Sequence, residues 1–172
     1  MYIILVAMEK EAQYIDCPNA KVIVTGIGLN NVVKTLSRAL IHGKISENDK
    51  IINVGYAGSN CFNIGDIVAV DGVVRIRPSE TVEEDEYRLS VNYINSLKPL
   101  YIAPCYTADD FVEDISKTIP LVDMELYYIR AFFKNLISFK IVSDNLSEKA
   151  YDKFNPEEAW VKMNRILNEI TS

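Results

Sequence analysis

Short runs rich in Val and Ile recur along the chain, and stretches with helical spacing lie between them. The clearest of these runs are Tyr2–Ala7, Lys21–Thr25, Lys50–Val54, Gly65–Val70 and Ser138–Val142. Near-continuous apolar strands are typical of a sheet that is buried on both faces. The alternation of such strands with helices therefore predicts an α/β fold with a mostly parallel or mixed sheet between layers of helices.

The helices are predicted from the spacing of apolar residues and from their caps. One covers Asn30–Ile41 and ends before Gly43. A final helix is capped by Asn155, with Pro156 at its first position. The segment Leu121–Phe133 reads either as a helix or as a strand-to-helix junction, and the sequence leaves both open.

The remaining segments are shorter and carry weaker signals. Val73–Ile76 and Tyr101–Cys105 read as short strands, and the acidic segment Pro78–Glu86 reads as a loop. A length of 172 residues is enough for a sizeable core, so one domain over 1–172 is expected.

Charge and composition limit the partners of the chain. The net charge is −6 and no basic stripe occurs, which argues against a nucleic-acid partner. No apolar run is long enough to span a membrane. The first eight residues lack a basic start and a cleavage site, so they are interpreted as a buried strand rather than a signal peptide.

The cysteines and the histidine limit the chemistry. Cys17, Cys61 and Cys105 form no CxxC pair and no zinc pattern, which favours free thiols in a reducing cytoplasm. The single histidine, His42, stands at the predicted end of a helix. If the chain is an enzyme, its acids and bases are therefore expected to be carboxylates.

Acidic residues follow or end three predicted strand segments, in "AMEKEA", "VDMEL" and "VSDN". Because the carboxyl ends of parallel strands meet at one edge of a sheet, Glu11, Glu125 and Asp144 are expected near one another. Two readings of "VSDN" stay open at this point. Asp144 either ends the strand as a turn residue or is a catalytic acid at the sheet edge.

These motifs occur in a fixed order: "AMEKEA … TGIG … INVGYAG … IGDIVAV … DDF … VDMEL … VSDN". In this order the chain resembles the nucleoside phosphorylase superfamily, and within it the bacterial methylthioadenosine/S-adenosylhomocysteine nucleosidases, as a shortened member. The resemblance implies an α/β fold with a central mixed, partly closed sheet. It also implies hydrolysis of the N-glycosidic bond of a purine nucleoside, with no metal and no cofactor.

The resemblance assigns expected roles to named residues. Glu11 matches the carboxylate that activates water, and Asp144 matches the acid that protonates purine N7. Glu125 matches the carboxylate that holds the ribose hydroxyls. The expected binding residues around them are Ala57 and Gly58 at the ribose and water site, Phe111 stacked on the base, Val112 at the base edge and Met124 against the sugar.

The residue types suit this chemistry. A purine leaves poorly as an anion, so Asp144 is expected to deliver a proton to it. The sugar leaves as an oxocarbenium-like cation, which neighbouring carboxylates stabilise. Glu125 can accept hydrogen bonds from the ribose hydroxyls. Asp123 is expected to point away from Glu125 on a helix and to have a helix-start or supporting role.

The sequence departs from the family pattern at three places. Tyr56 replaces a small hydroxylic residue in "GYAG" and is expected to crowd the water site. Lys140 replaces the Arg that usually accompanies the catalytic Asp, so its support of Asp144 is expected to differ. A long stretch after Val70 is missing, and the acidic segment 77–87 stands there instead.

Two other functions remain as alternatives. One is a phosphorylase that uses phosphate in place of water, and the other is a catalytically weak nucleoside-binding module. The nucleophile-facing segments contain Glu11 and no Arg, which favours water over a phosphate dianion. Members of the family commonly pair as dimers, so the resemblance also implies a homodimer.

Overall fold

We describe the fold from a computed structural model of the chain. The structure describes residues 1–46, 48–76, 87–89, 101–110, 112, 118–146 and 154–172. Its strands are β1 (Tyr2–Val6), β2 (Ala20–Val24), β3 (Lys50–Gly58), β4 (Ile67–Arg75), β5 (Tyr87–Arg88), β6 (Tyr101–Thr107), β7 (Val122–Asp123) and β8 (Leu136–Asp144). Its helices are α1 (Glu9–Ala12), α2 (Gly28–Ile41), α3 (Leu126–Phe132) and α4 (Pro156–Thr171).

All of these strands belong to one mixed sheet, part of which closes on itself. The sheet runs β2-β1-β3-β7-β6-β4-β5, and β8 pairs with both β3 and β4. The β3–β8, β4–β6 and β6–β7 pairs are parallel, whereas the β4–β8 and β3–β7 pairs are antiparallel. Strands β3, β8, β4, β6 and β7 thereby form a closed ring. The predicted α/β class with a mixed, partly closed sheet is confirmed.

Helices cover both faces of the sheet. Alternate residues of β1 face opposite sides, so Ile3 packs with residues of α2 and α3 while Ile4 packs with α4. The buried side chains of α4 are Ala159, Trp160, Met163, Ile166, Leu167 and Thr171. Burial of such large apolar side chains stabilises each helix on the sheet by roughly 1.5–3 kcal/mol per side chain. No helix among the described residues is long and apolar enough to cross a bilayer.

Most predicted elements are confirmed, and the differences have local causes. The runs Gly65–Val70 and Val73–Ile76 belong to one strand, β4, because a register shift at Asp71 lets it continue past an irregular position. Leu121–Phe133 is a strand-to-helix junction. Asn155 caps α4 by accepting a hydrogen bond from the backbone of Glu158. The predicted loop Pro78–Glu86 lies outside the described residues.

A buried polar residue joins the three parallel strands that lead toward one end of the sheet. The Asn53 side chain on β3 is 2% exposed; its Nδ2 donates to the Leu5 carbonyl on β1 at 3.2 Å. Its Oδ1 accepts a hydrogen bond from Ser138 Oγ on β8 at 3.0 Å. Leu5 and Ser138 are also its partners in the strand register. These bonds fix the register of β1, β3 and β8, whose carboxyl ends therefore lie side by side.

We predict that Asn53→Ala lowers the free energy of unfolding by about 1–3 kcal/mol, because it leaves the buried Ser138 hydroxyl without its acceptor. Adding Ser138→Ala recovers part of the loss, since the unpaired Ser138 hydroxyl is then gone. Urea denaturation measures both effects, with the exposed Asn48→Ala as the control. A loss no larger than that of the control would contradict this role of Asn53.

Candidate active site

A cavity of about 230 Å³ opens at the carboxyl ends of β1, β3 and β8. The predicted site residues Glu11, Ala57, Gly58, Val112, Met124, Glu125 and Asp144 all line it. Phe111 lies outside the described residues. The remaining lining residues are Ala7, Met8, Ile27, Tyr56, Asp110, Val122, Asp123, Ser143 and Leu146. The structure thus brings together every described residue that the sequence assigns to the site.

Glu11 lies in α1, the short helix that follows β1, and its side chain is 1% exposed. Its carboxylate accepts hydrogen bonds from the backbone N–H of Met8 and of Tyr56, both at 2.9 Å. The Tyr56 bond ties the carboxylate to β3. Gly55 makes the approach possible, because a Cβ at that position would lie 2.9 Å from Glu11 Oε1.

Asp144 is the last residue of β8 and is also a turn residue. Its Oδ1 accepts the backbone N–H of Leu146 at 3.0 Å, which is the bond of an Asx turn. Its Oδ2 accepts the hydroxyl of Ser143 at 2.9 Å. Both readings of "VSDN" are therefore compatible in geometry: the side chain makes a turn, and it lines the cavity.

The backbone around Asp144 is closely packed and locally strained. Leu146 has a φ of 61°, an unfavourable value for a residue with a branched side chain. A Cβ at Gly58 would lie 2.8 Å from Asp144 Oδ1 and 2.4 Å from the Leu146 side chain. A larger residue at position 58 would displace both side chains, so the glycine lets the end of β3 approach the end of β8 with the carboxylate in this direction.

Glu125 precedes α3 and meets the start of α2. Its Oε1 accepts the backbone N–H of Gly28, the first residue of α2, at 2.9 Å. A helix N-terminus has unpaired N–H groups and favours a negative charge. Glu125 is 6% exposed, and its neighbour Met124 also lines the cavity. The carboxylate is therefore held between two helices.

Lys140 pairs with Asp123, and the expectation that it supports Asp144 is wrong. The Lys140 ammonium lies 2.6 Å from Asp123 Oδ2, and both side chains are buried. Asp123 lies on strand β7 rather than on a helix, and it also accepts hydrogen bonds from Thr107 Oγ1 and from the Leu126 backbone. Its predicted helix-start role is thus confirmed.

The charged groups of this cluster shift one another's pKa values. Burial raises the pKa of Glu11, against the opposing effects of the Tyr56 and Met8 N–H groups and of Lys140. Burial and then the charge of Asp123 raise the pKa of Glu125 to about 7. Burial lowers the pKa of Lys140, but the attraction of Asp123 and its neighbours outweighs burial and leaves that pKa raised. The site thus holds a buried cation among carboxylates.

Tyr56 faces the cavity and is also anchored to α4. Its hydroxyl accepts a hydrogen bond from Trp160 Nε1 at 2.8 Å. Its ring meets the Phe154 ring edge-on, with centroids 5.0 Å apart. The end of the side chain is directed to α4, so Tyr56 forms a wall beside Glu11 that α4 holds in place.

Sequence reasoning missed several lining residues, and most of them adjoin residues that it identified. Met8, Asp110 and Ser143 lie within the quoted motifs, but their residue types offer no separate signal of a site. Ile27 belongs to "TGIG", a motif whose glycines are its only distinctive residues. Leu146 follows "VSDN", lines the cavity and has a positive φ, which the sequence does not reveal.

No protein-family model matches the chain, and no curated protein matches it significantly in sequence. Solved structures do match. One is a 5′-methylthioadenosine/S-adenosylhomocysteine nucleosidase (MTAN) of Chlamydia trachomatis bound to methylthioadenosine (MTA). It matches at 18% identity and a TM-score of 0.75, covering 98% of this chain and 96% of that one. Another is a putative 5′-methylthioadenosine/S-adenosylhomocysteine nucleosidase of Borrelia burgdorferi bound to adenine, at 20% identity and 0.74, covering 99% and 98%.

A Helicobacter pylori 5′-methylthioadenosine/S-adenosylhomocysteine nucleosidase matches at 17% identity and a TM-score of 0.71, covering 98% of this chain and 97% of that one. These matches show that the chain has the fold of these nucleosidases, as the sequence motifs predicted. The likeness extends over nearly the full length of each structure.

We predict that the free energy of unfolding falls as the pH rises from about 5 to 8, and that Glu125→Gln reduces this fall. Between the ordinary pKa of 4.5 and the folded value of about 7, the folded chain keeps a proton that the unfolded chain has released. Glu125 then destabilises the folded state by on the order of 3 kcal/mol at pH 8. Gln is neutral at every pH, and its carbonyl can still accept the Gly28 N–H.

Urea denaturation at several pH values measures this effect, with the exposed Glu169→Gln as the control. Some pH dependence remains in the variant because burial also raises the pKa of Glu11. Equal slopes in the parent and in Glu125→Gln would contradict the prediction.

Proposed function

We propose that the chain is a purine nucleoside N-glycosidase that releases adenine or a related base from nucleosides such as methylthioadenosine and S-adenosylhomocysteine by hydrolysis. The main support is the placement of the carboxylates of Glu11, Glu125 and Asp144 around one cavity, in a chain with the nucleosidase fold. The whole chain, 1–172, acts as a single domain in this proposal and needs no metal or cofactor.

In the proposed reaction Asp144 donates a proton to N7 of the purine. The base then leaves with the electron pair of the glycosidic bond, and the sugar develops positive charge that the carboxylates stabilise. Glu11 takes a proton from the water that attacks the anomeric carbon, and Glu125 accepts hydrogen bonds from the ribose hydroxyls. Ala57, Gly58 and Met124 surround the sugar in this arrangement, and Phe111 and Val112 bind the base.

Ser143 suits both protonation states of Asp144. Its hydroxyl lies 2.9 Å from Asp144 Oδ2 and 3.4 Å from the Ala57 carbonyl. When Asp144 is ionised, Ser143 can donate to it. When Asp144 carries the proton for the base, the Ser143 hydroxyl can turn and donate to the Ala57 carbonyl instead. The Ser143 hydrogen and the carboxyl proton then do not both lie at Asp144 Oδ2.

The described lining of the cavity favours water over phosphate as the nucleophile. None of the described residues that line it is Arg or Lys, and Lys140 is already paired with Asp123. A phosphate dianion there would face Glu11, Glu125 and Asp144 with no cation beside it. The phosphorylase alternative thus has less support than hydrolysis.

We predict adenine release from methylthioadenosine without phosphate, and much slower release of base from uridine, which has no N7 to protonate. Asp144→Asn is expected to lower the rate by roughly 10²- to 10⁴-fold, since Asn keeps the shape but cannot deliver a proton. Glu11→Gln is expected to lose activity because it cannot accept a proton from water. Free base and sugar are measured by chromatography, with the exposed Asp16→Asn as the control.

Each alternative predicts a different result in this assay. Unchanged base release in Asp144→Asn would mean that Asp144 is only a turn residue. Strict dependence on phosphate, with a sugar phosphate as product, would identify a phosphorylase. Tight binding of methylthioadenosine without any release would identify a binding module.

The proposal also includes a cytoplasmic location and assembly as a homodimer. Cys17, Cys61 and Cys105 are all free, which suits a reducing compartment. An apolar surface at the start of α2 suits a second copy of the chain: Leu29 and Val33 are one turn apart and 38% and 40% exposed. Ile27, beside them, lines the cavity, so the partner would lie near its entrance.

We predict that the chain sediments as a dimer at micromolar concentration and that Leu29→Glu with Val33→Glu makes it monomeric. Two charges in an apolar interface remove its driving force and would remain unpaired. Val161→Glu is the matched control, because Val161 is 55% exposed on α4. A monomeric parent, or a double variant that still dimerises, would contradict this interface.

A further inference from the structure

Asp109 links the end of β4 to α3. Its Oδ2 accepts a hydrogen bond from Arg75 Nη2, at the end of β4, at 3.0 Å. Its Oδ1 accepts the hydroxyl of Tyr128 on α3. The Arg75 guanidinium also lies over the Tyr128 ring, 5.4 Å from its centroid. Arg75, Asp109 and Tyr128 therefore contact one another pairwise, and we call this set the Asp109 triad.

Both donors of the triad keep their protons at neutral pH. Burial, followed by the hydrogen bond to Asp109, raises the pKa of Tyr128 to about 12, so its hydroxyl stays a donor. The hydrogen bond to Asp109 raises the pKa of Arg75 despite partial burial. The bonds to a carboxylate from a guanidinium and a phenol are charge-assisted, which makes them stronger than neutral ones.

The triad joins two walls of the cavity. Asp110 and Val112, which follow Asp109, line the cavity, and the helix of Tyr128 begins directly after Glu125. The backbone N–H of Ala108 donates to the Asp123 carbonyl at 2.9 Å, so the two segments are already adjacent. The side chain of Asp109 extends this contact to the end of β4.

We propose that Asp109 is a positioning residue that holds the segment with Asp110 and Val112 at the distance from Glu125 that the nucleoside requires. This inference rests on the proposed function, in which that segment binds the base and Glu125 binds the ribose. Asp109 acts on substrate only through its neighbours. Glu11 and Asp144 lie on other elements, α1 and β8, so we expect the proton transfers not to depend on Asp109.

Because the triad is partly exposed, losing it is expected to affect ligand binding more than the free energy of unfolding. Asp109 is 40% exposed and Arg75 is 26% exposed. Exposed ion pairs contribute little to the free energy of unfolding. Loss of the Asp109 charge should therefore leave the chain folded, whereas freeing a wall of the cavity raises the entropy that binding must remove.

The test compares Asp109→Asn and Tyr128→Phe with the parent. Both variants are expected to raise KM for methylthioadenosine and the Kd for adenine by roughly tenfold, which is the loss of one charged hydrogen bond. The value of kcat is expected to change less than threefold, and the pH profile of kcat is expected not to shift. Arg75→Lys keeps the charge but loses the planar fork, so an intermediate effect is expected.

Tyr2→Phe is the matched control. The Lys50 ammonium lies over the Tyr2 ring and donates a hydrogen bond to its hydroxyl. Tyr2 begins β1, at the end of that strand opposite the cavity. Tyr2→Phe should leave KM and the adenine Kd unchanged. If Asp109→Asn does not fold, Tyr128→Phe decides the question, since it removes only the hydroxyl.

The outcomes separate this inference from the proposed function. An active parent whose folded Asp109→Asn and Tyr128→Phe variants keep the parental KM and adenine Kd would overturn the inference alone. A shifted pH profile of kcat would also overturn it, because it would place Asp109 in the proton transfers. A parent that neither releases nor binds adenine would overturn the proposed function and this inference with it.

Discussion

The buried ion pair of Lys140 and Asp123 is the interaction on which the cavity depends. Burial alone would make a group of carboxylates at one end of a sheet unfavourable, because each charge loses its hydration. Burial raises the pKa of both Glu11 and Glu125, and the charge of Lys140 opposes that rise. Its desolvation has a cost, but Asp123 gives it a contact of 2.6 Å, and the other bonds of Asp123 hold that carboxylate in place. Removing only one partner of such a pair typically costs about 3–5 kcal/mol.

The carboxylates around this pair are held mainly by backbone groups of neighbouring elements. Glu11 accepts an N–H from β3, Glu125 accepts one from the start of α2, and Asp144 accepts one from the turn after β8. Backbone donors do not change rotamer, so the carboxylates are oriented before any ligand enters. The arrangement requires strands at van der Waals distance, which explains Gly55 and Gly58 at the end of β3.

How far the site could be predicted depends on the range of each contact. The acids at strand ends were found because strand direction places them together, and the order of short motifs indicated the fold. The partner of Lys140 was not found. Four residues along a strand span about 13 Å, so Lys140 cannot reach Asp144 on the same strand. Its partner Asp123 lies on β7, and Tyr56 meets Trp160 from a position 104 residues away. The first pair depends on the closed part of the sheet and the second on the packing of α4, and local patterns specify neither.

The segment "VSDN" shows why a turn residue and a site residue need not be alternatives. An Asx turn uses one carboxylate oxygen, Asp144 Oδ1, and thereby fixes the direction of the side chain. The other oxygen accepts the hydroxyl of Ser143, and both residues line the cavity. The same turn forces Leu146 to a positive φ, a conformation that costs on the order of 1 kcal/mol or more and that a simple strand end does not need. Strain of this kind persists only where the surrounding packing maintains it, and here Gly58 and the end of β3 press against both residues. The turn therefore serves to aim the carboxylate, and this accounts for an acid at the end of an apolar strand better than chain reversal alone.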